Sequence, residues 1–220
     1  MAKKAFPLLR IAVHIIGWLP LVKLIFDFTA NNLTANPIQA IEQRLGRTAL
    51  YFLVAALAVT PVHTLTGWRD ILPRRRALGL YAFLYASLHF LTFAGLDYGF
   101  DLAQILDLVT TKPYILLGSL AFSLLLPLAI TSFDFFIRRL EKSWKRLHGL
   151  IYPAGLIVIV HFAWARKGDL LRLQGNILQP LLLGLLVVFL LILRIPSVRK
   201  WVSGLRQRFI GRIRARKHAE

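Results

Sequence analysis

The sequence contains no cysteine, and its single methionine is Met1. Without cysteine the chain has no disulfide, no thiolate zinc site, no cysteine-bound iron–sulfur cluster and no cysteine nucleophile. Acidic residues are also scarce, with 10 Asp and Glu against 28 Lys and Arg. The sequence also has no G-x-G-x-x-G motif, so we predict no attached nicotinamide or FAD domain.

What the chain has in abundance is apolar residues. Hydrophobic residues make up 57% of its 220 residues, and the mean hydropathy is +0.61. These values are typical of membrane proteins and too apolar for a soluble globular domain. The apolar segments also use up most of the length, which leaves no room for a separate soluble catalytic domain.

Six apolar segments approach the length of about 17–25 residues that a membrane-spanning helix needs. They cover residues 8–28, 47–64, 78–96, 114–133, 149–165 and 177–195. We therefore predict an all-α membrane protein, with a six-helix transmembrane bundle over residues 1–195. A basic tail follows over 196–220, and its interspersed Trp201, Phe209 and Ile213 favour an interfacial helix on anionic lipid.

The positive charge is distributed unevenly between the connections. Twenty-one Lys and Arg lie at the two termini and in the 2–3 and 4–5 connections, and six lie in the other connections. Cytoplasmic loops are enriched in Lys and Arg, so both termini are predicted to be cytoplasmic. This bias explains the net charge of +18 without a nucleic-acid partner.

Two histidines are predicted to lie at the same depth in the membrane. His89 follows the predicted start of segment 3 by eleven residues, and His161 follows that of segment 5 by twelve. At helical rise these positions are about 16 and 18 Å from the cytoplasmic side. Two facing imidazoles in a helical bundle are a natural axial pair for a b-type haem.

Other functions of the histidines have weaker support in the sequence. Zinc needs three or four ligands, and no Cys, Asp or Glu lies at this depth. A proton relay usually includes intramembrane Asp or Glu, and neither lies at this depth. A non-redox transporter or scaffold whose histidines form structural hydrogen bonds remains the contrasting hypothesis.

His148 and His63 both lie near the cytoplasmic face, and they are the candidates for a second haem. His148 lies thirteen residues before His161. An ideal helix would place the two imidazoles roughly 140° apart in projection. Pro153 lies between them, and a kink there would change that angle. Lining a quinone or flavin pocket, or capping a helix, are the alternatives for His148.

A series of short motifs in this order resembles the MsrQ (YedZ) family within the ferric-reductase-like transmembrane superfamily. They are Asn36-Pro37, Gly46-Arg47-Thr48-Ala49-Leu50, Thr60-Pro61, Ser87-Leu88-His89, Thr111-Lys112-Pro113-Tyr114, Thr131-Ser132, Trp144-x-x-Leu147-His148 and His161-Phe162-x-Trp164. In that family, His89, His148 and His161 match the histidines associated with haem binding. The sequence departs from the wider superfamily in having Arg76 thirteen residues before His89, where ferric reductases and NADPH oxidases have a second histidine.

The resemblance implies a haem-binding subunit in the bacterial inner membrane. It would pass electrons from the quinone pool to MsrP, a periplasmic molybdopterin reductase that repairs methionine sulfoxide in proteins. A cytoplasmic flavin reductase is the alternative donor, and FMN is a further implied cofactor. On this view the chain carries electrons and is not the catalytic subunit. A similar carrier with another acceptor is the alternative function.

Arginines and lysines in the outer connections are candidates to pair with the propionates of the predicted outer haem, because these side chains bind carboxylates well. They are Arg44, Arg47, Lys112, Arg166 and Lys167.

Overall fold

The computed structural model describes residues 5–166 and 178–217, and side chains are described for 8–166 and 178–208. Over these ranges the chain forms nine α-helices and no strand. The helices are α1 Ala5–Thr29, α2 Pro37–Thr66, α3 Arg74–Leu91, α4 Leu102–Thr111, α5 Pro113–Ile130, α6 Asp134–Leu147, α7 Ile151–Ala165, α8 Leu178–Ile192 and α9 Pro196–Lys217. A π-helical turn, Thr92–Asp97, extends α3, and a 3-10 turn, His148–Leu150, joins α6 to α7.

Five helical stretches in the described part of the chain are long and apolar enough to cross a membrane. The sixth candidate is α8 together with the start of α9, although the two helices meet at an angle of 82°. The predicted all-α membrane fold is confirmed, and the chain is a multi-pass membrane protein. The side on which the termini lie stays a prediction, as does the division into a bundle and an interfacial tail.

Helix α2 begins ten residues before the predicted start of segment 2. Asn36 caps it, with its side-chain oxygen accepting a hydrogen bond of 3.1 Å from the backbone N–H of Gln39. Pro37 occupies the first turn, where its missing N–H costs nothing. The predicted segments leave residues 29–46 as a connection. That prediction is wrong for residues 37–46, which are helical.

The basic stretch before His148 is also helical, although it was predicted to be a connection. Helix α6 carries Phe135, Phe136, Leu140 and Trp144 among its Arg and Lys residues. Such alternation is typical of a helix that lies at a membrane surface. Glu141 interrupts it with a positive φ of 44°, so α6 is bent at that residue.

Helix α2 lies at the centre of the bundle, because both hydrophobic clusters are built on it. Phe52 and Leu53 pack with Tyr81 and Tyr85 of α3 in the first cluster. Leu50, Val54 and Leu57 pack with Ile159, Val187 and Leu190 in the second. By contrast, most large apolar side chains of α1 and α8 are exposed, as expected where helices face lipid.

Side-chain contacts divide the bundle into two ends. At the end that we call the basic end, Arg76 of α3 pairs with Asp134 of α6 at 2.6 Å, and Arg206 of α9 bonds the carbonyls of His63 and Thr64. At the opposite end, Arg44 of α2 pairs with Asp27 of α1. The 2–3 connection, the 4–5 connection and the C-terminal tail are all strongly basic, and all three are predicted to be cytoplasmic. These contacts place them at one end of the molecule.

Candidate cofactor site

His89 and His161 face each other at the opposite end of the bundle. His89 lies in the last turn of α3, and His161 lies in the last turns of α7. Their ring centroids are 6.3 Å apart and their planes are inclined by 67°. Both rings are only partly exposed. The structure therefore brings together the two histidines that the sequence placed at one depth.

Each of the two rings is oriented by a backbone carbonyl of another helix. Nδ1 of His89 lies 2.9 Å from the carbonyl oxygen of Glu42 in α2, and Nδ1 of His161 lies 2.7 Å from that of Tyr114 in α5. A carbonyl oxygen can only accept, so Nδ1 carries the proton in both rings. The lone pair is then on Nε2 in each ring. A histidine that ligates a metal typically has such a partner on its other nitrogen.

Two glycines allow the rings to approach these helices so closely. A Cβ on Gly118 of α5 would lie 2.9 Å from Cε1 of His161. A Cβ on Gly46 of α2 would lie 3.2 Å from Cε1 and Nδ1 of His89. Alanine at Gly118 would therefore push the ring away from its carbonyl partner, and alanine at Gly46 would do so to a smaller degree.

The two imidazoles are close enough that they could hold one haem iron between them. A metal–imidazole nitrogen bond is about 2.0–2.1 Å long. Two imidazoles that shared one metal would each place Nε2 at about that distance from it. The ring-centroid separation of 6.3 Å is compatible with such a shared metal. Among the described residues, no group of three or more His, Cys, Asp or Glu could hold a metal ion. This finding fits a macrocycle that supplies the other ligands better than it fits a zinc site.

The candidate propionate partners differ in how strongly they are already engaged. Arg44 pairs with Asp27, whose carboxylate also accepts a hydrogen bond of 2.9 Å from Lys23. Arg166 donates to the side-chain oxygen of Gln179 at 2.9 Å and lies over the ring of Phe162.

The remaining candidates are less engaged. Among the described residues, Arg47 donates only to the backbone carbonyl of Gln43, and Lys112 is exposed at the junction of α4 and α5. Lys167 lies outside the described residues. Arg47 and Lys112 are therefore the freest of the described candidates.

His148 and His63 lie at the basic end, and each has a partner other than the other histidine. His148 stacks on Trp144 with centroids 4.0 Å apart, and its Nε2 lies 3.1 Å from the hydroxyl of Thr131. Nδ1 of His63 lies 3.1 Å from the carbonyl oxygen of Trp68. Among the described side chains, these two imidazoles share no ring contact. The structure thus does not bring the second candidate pair together.

Sequence reasoning missed Glu42 and Tyr114, whose carbonyls fix the rings. A backbone carbonyl leaves no residue-type signature, so neither position could be identified by its side chain. The glycines were available as a signal. Gly46 belongs to one of the motifs given above, and Gly118 is a small residue in segment 4 of the kind that lets helices approach closely.

Comparison with known proteins gives two kinds of match. The family described as ferric reductase like transmembrane component matches residues 45–159. The chain is 41% identical to the protein-methionine-sulfoxide reductase heme-binding subunit MsrQ of Rhodospirillum rubrum over 197 residues, which cover 89% of this chain and 91% of that protein.

Two further relatives carry the same protein name. The identity is 39% for Herminiimonas arsenicoxydans, covering 86% of this chain and 84% of that protein. It is 42% for Xanthomonas campestris pv. campestris, covering 77% and 82%. No solved structure matches the chain.

Proposed function

The chain belongs to the MsrQ family, and we propose that it is a haem b membrane subunit that carries electrons across the bilayer. In this proposal the electrons come from the quinone pool. They go to a periplasmic molybdopterin-dependent protein-methionine-sulfoxide reductase of the MsrP kind, which repairs oxidised periplasmic proteins. The chain would reside in the bacterial inner membrane with both termini in the cytoplasm.

The observation that carries the proposal is the paired arrangement of His89 and His161. Two rings, 6.3 Å apart, each have Nδ1 bonded to a carbonyl and Nε2 left as a ligand. A purely structural role for the two histidines would not require their rings to lie next to each other. A haem held there supplies reversible one-electron chemistry at the iron.

The protein's own residues supply orientation and surroundings. Glu42 and Tyr114 fix the tautomer of each histidine, which also raises its basicity as a ligand. Gly46 and Gly118 provide the space for the rings. Arg47 and Lys112 are the candidates to neutralise the propionates, because Arg44 is already paired with Asp27.

The partner proposal is supported by the relatives' printed name, which describes a heme-binding subunit of a protein-methionine-sulfoxide reductase. A subunit that carries electrons needs a catalytic subunit as acceptor and a separate donor. The donor is quinol or, as the alternative, a cytoplasmic flavin reductase.

Two further points rest on family membership. The match to the ferric reductase family supports a second candidate function, an electron carrier of the same kind with a different acceptor. FMN is proposed as an additional cofactor, and flavin fluorescence after acid release from the purified protein tests it.

A reduced-minus-oxidised absorbance spectrum of the purified protein, produced with ample haem supply, tests the central proposal. We expect the Soret and α-band shifts of a low-spin b-type haem. Reduction of that haem by a quinol, and its reoxidation by the periplasmic reductase, then test donor and acceptor separately. A flat difference spectrum would contradict the proposal and favour a non-redox transporter or scaffold.

A further inference from the structure

An apolar patch is exposed at the opposite end of the bundle, where the chain passes from α3 to α4. We call it the loop patch, and its members are Leu96, Phe100, Leu102 and Leu106, which are 59%, 61%, 71% and 64% exposed. Ile105 of α4 is buried, so this helix packs on the bundle with one face and leaves the loop patch uncovered by the described residues. Contiguous exposed apolar surface of this kind generally marks a contact with another molecule.

Phe100 is held in a backbone conformation that a bulky side chain rarely adopts. Its φ is 60°, in the left-handed region that favours glycine. The N–H of Phe100 donates to the carbonyl of Ala94 at 2.7 Å, which holds this conformation. The ring also lies against Gly95, where an added Cβ would be 2.8 Å from Cζ of Phe100. Residues held in this way are concentrated at functional sites, and here the result is an exposed ring in a fixed position.

The loop patch adjoins the paired histidines. The π-helical turn Thr92–Asp97 begins three residues after His89, and such turns are frequent at functional sites. The Tyr98 side chain lies within electrostatic range of Glu42 and Tyr114. These are the two residues whose carbonyls orient the histidine rings. A molecule bound to the loop patch would therefore be close to the site that we propose for haem.

The charge around the loop patch has the opposite sign to that of the rest of the chain. Residues 77–111 contain three aspartates and no Lys or Arg, although the net charge of the chain is +18. The aspartates are Asp97, Asp101 and Asp107, and all three are exposed. They alternate along the chain with the apolar residues, as in a protein interface that has an apolar centre and a polar rim. A partner that complements this surface has Lys or Arg around an apolar pocket.

The same charges argue against lipid as the molecule that covers the loop patch. Helices that lie on a membrane surface typically have Lys and Arg on their polar side, which suits anionic lipid head groups. Helix α4 is capped by Asp101, contains Asp107 and has no Lys or Arg. At ten residues it is also too short to cross the membrane. These properties favour a soluble protein as the partner.

We propose that the loop patch is the docking surface for the soluble protein that accepts electrons from the haem. The Phe100 ring would enter an apolar pocket of that protein, and the three aspartates would face its Lys and Arg residues. The identity of the partner rests on the proposed function, whereas the surface rests on the exposure, the backbone conformation and the charge of the residues that form it.

Binding of the full-length protein in lipid nanodiscs to the purified periplasmic reductase tests the central contact. Phe100→Gly removes the ring, and glycine suits the positive φ, so the loop should keep its conformation. Loss of an aromatic anchor should weaken binding about tenfold or more. Phe135→Ala is the matched control, because Phe135 is also 61% exposed but lies next to the Arg76–Asp134 pair at the basic end. It should leave the affinity unchanged.

The aspartates give a second, kinetic test by surface plasmon resonance. Asp101→Asn removes a charge but keeps an oxygen that can accept from the N–H of Gln104, so α4 stays capped. Combined with Asp97→Asn and Asp107→Asn, it should lower the association rate about tenfold at low ionic strength, and less at high ionic strength. Asp134→Asn removes an exposed charge at the basic end and should leave the rate unchanged.

The absence of cysteine allows a single introduced thiol to report whether the loop patch faces water. Leu102→Cys in nanodiscs should react with a membrane-impermeant maleimide, and bound reductase should protect it. A thiol that reacts only after detergent is added would show that lipid covers the loop patch, and this result would overturn the proposal.

The haem spectrum of the same samples separates this proposal from the proposed function. Binding that weakens in Phe100→Gly and in the triple aspartate variant, but not in the controls, supports the docking surface whether or not the reductase reoxidises the haem. Equal binding in all variants overturns the docking surface, while reoxidation of the haem still supports the proposed function. If the reductase does not bind the unaltered protein, the docking surface is overturned, and a haem that also stays reduced contradicts the proposed acceptor.

Discussion

Each end of the bundle carries two histidines that the sequence singled out, and the two pairs are placed very differently. At the opposite end, His89 and His161 face each other, and each donates from Nδ1 to a carbonyl of another helix. At the basic end, His148 stacks on Trp144 and bonds Thr131, while His63 bonds the carbonyl of Trp68. The residue type is the same, but the surroundings differ.

The two pairs differ in which ring nitrogens already have a hydrogen-bond partner. In the first pair, Nδ1 of each ring is bonded to a carbonyl, and neither Nε2 has a hydrogen-bond partner among the described residues. In the second, Nε2 of His148 is already engaged by a hydroxyl 3.1 Å away. Depth in the membrane did not distinguish the two pairs, because members of both pairs were predicted to be level. The hydrogen-bond partners of the ring nitrogens do distinguish the two pairs.

The largest expected effect comes from removing either ring of the first pair. His89→Ala and His161→Ala should each abolish the same low-spin haem signal, because a single axial imidazole does not give a bis-histidine spectrum. The reduced-minus-oxidised spectrum measures this. If one variant kept a normal bis-histidine spectrum, the proposed pairing would be wrong.

The glycines that give the rings their space should show the next largest effect. Gly118→Ala places a Cβ 2.9 Å from the His161 ring, and overpacking of this kind costs about 1–3 kcal/mol. We expect lower haem occupancy and a shifted spectrum, with a smaller change for Gly46→Ala.

Gly79→Ala is the matched control, because a Cβ there meets no atom within 4 Å. Alanine favours a helix over glycine, so Gly79→Ala should leave haem content unchanged or slightly improve stability. Equal haem loss in all three variants would show that the effect does not come from ring displacement.

The His148→Ala variant tests whether the two ends of the bundle are independent. The low-spin signal of the His89–His161 pair should remain, since His148 contacts Trp144 and Thr131 at the other end of the bundle. Pyridine-haemochrome titration per mole of protein should give at least one haem in this variant. Loss of the whole signal would contradict the independence of the two ends. A drop from two haems to one would assign a second haem to His148.

The ion-paired carboxylates of Asp27 and Asp134 extend the comparison of the ends to stability and should give the smallest effect. The Asp27 side chain, which is 9% exposed, is contacted by Lys23 and Arg44, whereas the Asp134 side chain that pairs with Arg76 is 70% exposed. Asp27→Asn should lower the thermal midpoint in detergent by a few degrees, because it leaves two cations without their carboxylate. Asp134→Asn should change it little, since exposed ion pairs contribute little. Equal shifts would show that burial does not decide the difference.

Much of the fold could be predicted because lipid imposes a simple rule on the sequence. Backbone groups in the membrane must be paired within each segment, so long apolar runs become helices. The prediction of helix boundaries failed where a local sequence pattern is compatible with either a connection or a helix. Residues 29–46 were predicted to be a connection, but Asn36 caps α2 and Pro37 begins it. The basic stretch over 134–147 was taken as a connection, but it forms the amphipathic helix α6.

The sequence by itself determined the helical membrane fold, the concentration of positive charge in particular connections, and the equal depth of His89 and His161. These properties follow from hydropathy and from the constant rise of a helix. The tertiary structure decided which imidazoles face each other and which ring nitrogen is left free. It did so through the carbonyls of Glu42 and Tyr114 and the close approach at Gly46 and Gly118. Rotation of one helix against another depends on side-chain packing, and backbone carbonyls are common to all residues. For that reason the sequence alone could not identify the facing imidazoles or the carbonyls that bond them.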